Sequence, residues 1–274
     1  MAHTARPFVL HEATFSQVKK LAPNVAVQPW GAEEAHNYHL PHGTDCIQAT
    51  AISEVAVAAA NAKGARCILL PCVPYGNDNL QLSQAATITM RSATQHAVLF
   101  DIADSLVRQG IDRLVLIDGH GGNDFIPMIR DIMLELPIFI VRIKPYGTAP
   151  KTKEILENTT GDHANEMETS LMLHLKPEWV APLETAGDGA VTPSKLPLLT
   201  GNPGVWAPRH WASATQSTGI GDPRKGTAAK GKYMFDAFAA ALADILAELS
   251  AAKNGDFPFI VGELRDQVDR DYRK

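Results

Sequence analysis

RLVLIDGHGGN, residues 113–123, is the stretch from which the fold can be read. Its first half is an apolar, β-prone run of strand length, and its second half is a glycine-rich polar turn. A strand that is apolar on both faces belongs inside a parallel sheet covered by helices on both sides. The carboxyl end of such a strand is where α/β sheets place their sites. The glycines permit positive φ and a close backbone approach to a ligand. The turn has neither the G-x-G-x-x-G spacing nor the G-K-[ST] ending of a phosphate cradle.

The same alternation continues outward in both directions. Residues 24–30 (NVAVQPW), 66–73 (RCILLPCV) and 138–143 (IFIVRI) read as strands, the second shortened by Pro71. Helices are expected at 46–63, 92–109, 124–136, 165–175 and 229–249. The first carries Ile52, Val55 and Ala59 at helical spacing with Gly64 behind it, and the second ends at Gly110. In the last, Phe235, Phe238, Leu242, Ile245 and Leu249 step by three and four. The expected architecture is one three-layer α/β domain over residues 1–274, with a mostly parallel central sheet flanked by helices. Residues 176–227, rich in Pro, Gly and Trp, form a loop-rich insertion of the kind that often serves as a lid or binding loop. The tail, 254–274, is charged at its end and is expected to dock on a neighbour or fray.

Composition excludes several classes. The 274 residues are 45% hydrophobic and 20% charged, with a net charge of -5. No basic stripe invites nucleic acid, and no apolar run approaches the roughly 18 residues of a membrane span. The amino terminus lacks the apolar core of a signal peptide. Three cysteines, Cys46, Cys67 and Cys72, form no C-x-x-C pair and read as small buried hydrophobes in a reducing cytoplasm. No G-x-S-x-G occurs, which argues against a serine hydrolase.

Three clusters could carry chemistry. The densest, residues 31–45 (GAEEAHNYHLPHGTD), follows the strand at 24–30. Glu34 and His36 are two apart, so in extended backbone they share a side. Asp45 sits at the foot of the next helix, where with Gln48 it also reads as a capping box. Imidazoles with carboxylates suit zinc, iron or manganese. His39 and His42 read equally well as loop residues, and Glu33 as an exposed neighbour. The second cluster is the turn itself, with His120, Gly121 and Gly122. The third, residues 162–170 (DHANEMETS), contains His163 and Glu168; locally, Asn165 reads as a helix cap with Glu168 closing its box.

Together, PWGAEEAHNYHLPHGTD (29–45), DGHGGN (118–123) and HANEMETS (163–170) resemble the motifs of the creatininase family of metal-dependent amidohydrolases. GIGDP (219–223) is similar to a further segment of that family. The resemblance implies that Glu34, His36, Asp45 and His120 hold divalent metal, two ions per chain bridged by Asp45, as zinc, manganese or iron. It implies that His163 contacts substrate and moves a proton. It places Asn77 and Asp78 in the substrate pocket, and Gly121 and Gly122 of the turn, with Trp206 and Trp211 of the loop-rich insertion, are further pocket candidates read from the sequence itself. The reaction implied is hydrolysis of the C–N bond of a small amide, cyclic amide or formamide by a metal-activated water, in a homo-oligomer, often a hexamer. The rivals are a peptide-processing hydrolase of the same fold and a non-catalytic metal- or ligand-binding protein.

Several positions depart from the family pattern. Gly122 stands where creatininase itself has a glutamate that completes the second metal, and matches the HGGN-type branch instead. Ala32 replaces Ser or Thr, Asn37 replaces the glycine after His36, and Asp118 replaces Asn. Charge balance suggests a substitute ligand. Two divalent ions bring four positive charges, while Glu34, Asp45 and a hydroxide return three, and uncompensated buried charge is costly. Glu168 is the expected extra ligand or a partner to one, and is expected to serve catalysis beside His163.

Overall fold

The computed structural model describes residues 5–200, 202–253 and 256–257. Four parallel strands, β1 (Val25–Trp30), β2 (Cys67–Leu69), β3 (Arg113–Asp118) and β4 (Phe139–Ile143), form a sheet in the order β2-β1-β3-β4. β1 pairs with β3 along its whole length, from Val25 opposite Arg113 to Trp30 opposite Asp118. Every residue of both strands is buried, as the uninterrupted apolar run required. β2 is only three residues long, and Pro71 follows just beyond it.

The helices are α1 (Phe15–Leu21), α2 (Thr44–Ala62), α3 (Ser92–Arg108), α4 (Ile126–Glu135), α5 (Glu166–Leu175), the one-turn α6 (Pro197–Thr200) and α7 (Trp211–Ala214), and α8 (Ala228–Ala251). Side chains alternate across the sheet. Val25, Val27, Val115 and Ile117 pack with Ile52 of α2 and Phe238 and Leu242 of α8. Ala26, Leu114 and Leu116 face Leu99 of α3 and Ile132 of α4. The result is the expected three-layer α/β arrangement. Gly64 and Gly110 take positive φ of 92° and 78° just beyond α2 and α3.

Two local expectations are revised. α2 begins at Thr44 with Gly43 as its cap and no side-chain capping bond, so Asp45 closes no capping box. Its carboxylate is drawn instead to His36 and His120. Asn165 does cap α5, accepting from the backbone N–H groups of Met167 and Glu168. Glu168, however, reaches one residue past the box and accepts from the backbone N–H of Ala164. Among the described residues, the insertion at 176–227 contains 3-10 turns at Pro177–Trp179 and Leu183–Thr185, the single-turn helices α6 and α7, and an isolated bridge at Ile220. The sequence tail beyond 253 lies almost wholly outside the described residues. Among the described residues, no helix is long and apolar enough to cross a membrane.

Candidate metal centre

Loops leaving the carboxyl ends of β1, β2 and β3 converge on one point. The first brings Glu34 and His36, the second Asp78 and Gln81, and the third His120. The first turns of α2 and α5 add Asp45 and Glu168, where the positive end of a helix favours a carboxylate. All seven side chains are buried.

Each of two histidines has one nitrogen anchored and the other aimed inward. His36 Nδ1–H donates to its neighbour Glu34's carbonyl oxygen at 3.0 Å, leaving Nε2 3.2 Å from Asp45 Oδ1. That Nε2 is buried and has no hydrogen bond. His120 Nε2 lies 3.0 Å from Asp78 Oδ1, while Nδ1 lies 2.7 Å from Glu34 Oε1 and 3.0 Å from Asp45 Oδ2. Fixing the outer nitrogen sets the tautomer of a ligating histidine. Gln81 donates from Nε2 to Glu34 Oε2.

These atoms fall into overlapping donor sets. Glu34, Asp45 and His120 form one, and His36, Asp45 and Glu168 another; within each set the donor atoms lie within 4.8 Å of one another. Asp45 stands in both. A third grouping joins Glu34, His36 and His163.

The electrostatics fit a cation. Burial raises Glu34 to about 7 and Glu168 to about 8. Burial works against the charged form of His36, yet Asp45 and Glu34 outweigh it and lift the imidazole to about 10. His120 is raised well above its ordinary value for the same reason, with Glu34, Asp45 and Asp78 overcoming burial. Burial pushes Asp45 up, but His36 and His120 prevail and hold it well below the usual carboxylate range. The cluster therefore gathers protons to neutralise itself. Divalent ions would displace those protons and satisfy the inward-facing nitrogens.

His163 lies against this centre but differs in character. Its Nε2–H donates to the carbonyl oxygen of Ala35 at 2.8 Å, and Nδ1 lies 3.7 Å from Glu34 Oε1. Burial, reinforced by His36, depresses its pKa well below the ordinary value. Its ring sits 4.2 Å from that of His36 and 5.2 Å edge-on from buried Trp211. An antiparallel bridge to Ile220 joins it to the 219–223 segment. Ala164, next in sequence, is held at φ 50°, a strained setting for a non-glycine residue.

Other expected residues fall differently. Asn37 takes the left-handed φ of 55°, which asparagine tolerates better than most residues. Its side chain bonds both the N–H and the carbonyl of Gly187, and its own N–H donates to Thr218. Asn77 offers its backbone carbonyl to His120 Nε2 at 3.3 Å, while its side chain bonds Ser92. Asp78 faces His120. Gly121 lies on the wall of an adjoining pocket. At Gly122 a Cβ atom would stand 2.4 Å from the carbonyl oxygen of Asn77 and 2.5 Å from His120 Nε2, so no side chain fits there. Trp206 is 82% exposed and is not gathered around His163 as Trp211 is. His39 is buried and bonds the Thr169 hydroxyl at 2.8 Å, and Glu33 is half-buried rather than exposed. Gln81 was missed, because it has no motif around it and reaches Glu34 only through the fold.

Comparison with known proteins accords with this geometry. Residues 11–246 match the creatininase family, described as creatinine amidohydrolase. The chain belongs to the creatininase family. It is an enzyme of that amidohydrolase group. It is 30% identical over 236 residues to the mycofactocin precursor peptide peptidase of Mycobacterium tuberculosis, covering 83% of this chain and 86% of the relative. A Bacteroides fragilis crystal structure, provisionally named creatinine amidohydrolase, is 38% identical with a TM-score of 0.84 over 91% of this chain and 99% of that one. A creatininase variant in a Zn–Zn form shares the fold at a TM-score of 0.75 and 21% identity, over 90% of this chain and 100% of that one.

Proposed function

We propose that this creatininase-family chain hydrolyses the C–N bond of an amide with the help of two divalent ions. The observation that carries the reading is the position of Asp45 in both donor sets. In it, Glu34, Asp45 and His120 would hold one ion, and His36, Asp45 and Glu168 would hold the other. Glu168 takes the place that Gly122 cannot fill. Zinc is the first expectation, given the Zn–Zn form of the fold relative, with manganese or iron as alternatives. When bound, such ions ease the ionisation of water near neutral pH and polarise a carbonyl oxygen.

The chain's own groups do the rest. His163 is kept neutral by burial, with its Nε2–H fixed on Ala35. Its Nδ1 faces Glu34 and can take a proton and pass it to the leaving nitrogen. Trp211 covers the ring and excludes water. Asp78 and Gln81 hold His120 and Glu34 in place.

The substrates proposed are small amides, cyclic amides or formamides. The peptidase name of the Mycobacterium tuberculosis relative supports a second reading, a peptide-processing hydrolase. A panel of formamides, cyclic amides and short peptides, assayed with chelated and metal-restored protein, tests both. Metal-dependent turnover of one class is expected. A metal-replete protein inert to every class would leave a non-catalytic metal-binding protein.

Two further features complete the proposal. Leu198 and Trp206, 86% and 82% exposed, support a homo-oligomer that covers them, and light scattering checks it. The three free cysteines support a reducing, cytoplasmic setting.

A further inference from the structure

A pocket of about 230 Å³ opens beside the metal centre. His120 and Glu168 lie on its wall, at the end where a scissile amide would meet the centre. Leu156, Met167 and Tyr146 supply an apolar side. Lys144 and Lys153 stand on the same lining, both exposed. The volume is below the roughly 300–1,000 Å³ of sites for drug-sized ligands, so the pocket suits one residue-sized group.

The charges on this lining are unevenly matched. Asp118 is buried and engaged by Arg142 at 3.4 Å, and Asp162 is engaged by Arg209 at 3.6 Å. Glu168 belongs to a donor set. Lys144 makes no close contact with Asp118, although its charge is the strongest of those that offset the burial of that carboxyl. Among the described residues, neither lysine has an ion-pair partner or a hydrogen bond from its ammonium. Two cations without a close ion-pair partner therefore border a small, half-apolar pocket that ends at the metal centre.

From this arrangement we infer that Lys144 and Lys153 select amides bearing a free carboxylate near the scissile bond, with a short apolar group lying along Leu156 and Met167. The substrate class is that of N-acyl amino acids and of peptides cut next to their carboxyl terminus. The inference rests on the amide-hydrolase reading and narrows it. A neutral amide would leave both ammonium groups facing an uncharged ligand. A carboxylate gives each a charge-assisted hydrogen bond.

N-acetyl-L-leucine and N-acetyl-L-leucinamide form a matched pair of probes that differ by one charge. Binding of each to the metal-loaded protein is measured by calorimetry, and acetate release from each is measured separately. The wild type should bind and cleave the carboxylate form at least about tenfold better. Lys144→Ala combined with Lys153→Ala should bring that ratio to within about twofold, and Lys144→Arg should keep it. Equal binding of the two probes by the wild type would overturn the inference. So would a preference that survives in the double variant, because the ions alone would then be attracting the carboxylate. Lysine-dependent binding without acetate release would uphold the selection and count against the hydrolase reading instead.

Discussion

His120 Nε2 and Asp78 Oδ1 lie 3.0 Å apart, and together with the Asn77 carbonyl oxygen, 3.3 Å from the same nitrogen, this contact leaves His120 Nδ1 facing Glu34 and Asp45. A carboxylate behind a ligating histidine fixes the ring and raises its basicity. Asp78→Ala should therefore weaken metal binding by about 10–100-fold while leaving the donor set itself intact. A chelator competition titration measures this. Unchanged affinity would show that Asp78 does not position His120.

His163 should separate chemistry from metal binding. Its Nε2–H is committed to Ala35 and its depressed pKa keeps it neutral. His163→Gln should retain its metal and lose about 10²–10⁴-fold in kcat. Elemental analysis and steady-state kinetics on one preparation give both numbers. Metal loss in parallel with activity would instead place His163 among the ligands, as its grouping with Glu34 and His36 permits.

His39 gives the fold an acid-side dependence of its own. Burial, helped by His36, lowers its pKa from 6.5 to about 4. Between those values the unfolded chain binds a proton that the folded chain refuses. Stability is thus full above 6.5 and falls as the pH drops toward 4, by roughly 3 kcal/mol for this group. His39→Gln should flatten that part of the profile. Denaturant melts of both proteins at pH 7 and pH 4.5 measure the difference, and parallel profiles would remove His39 as the cause.

Gly122 cannot host the glutamate that the resemblance to creatininase implies at its position. Its missing Cβ would press on Asn77 and His120. Gly122→Ala should cost about 1–3 kcal/mol and lower the metal content by displacing His120. Gly122→Glu should behave worse, not better. Thermal melts with metal analysis test both variants; a stable Gly122→Glu protein with full metal would show that the loop yields easily.

Much of this was legible in the sequence. The uninterrupted apolar runs at 113–117 and 24–30 announced buried parallel strands, because only a sheet covered on both faces makes that pattern. Glu34, His36, Asp45 and His120 stood out because ligand types recur at the carboxyl ends of those strands. Other features depend on contacts between distant segments. Asp78 looked like a pocket residue, and only the path of residues 70–91 places it behind His120. Gln81 has no motif and meets Glu34 across 47 positions. The Asp45 capping box was a sound local reading that lost to stronger long-range partners, since two imidazoles offer a carboxylate more than backbone N–H groups do. Trp206 and Trp211 were indistinguishable in sequence, and the turn at α7 buries only the second.

The central claim is that two ions share Asp45 and that Glu168 completes the second donor set. Metal per chain, measured by elemental analysis on the wild type and on Glu168→Gln, tests it most directly. The account predicts two equivalents for the wild type and about one for the variant. One equivalent in the wild type, or two retained by Glu168→Gln, would contradict it.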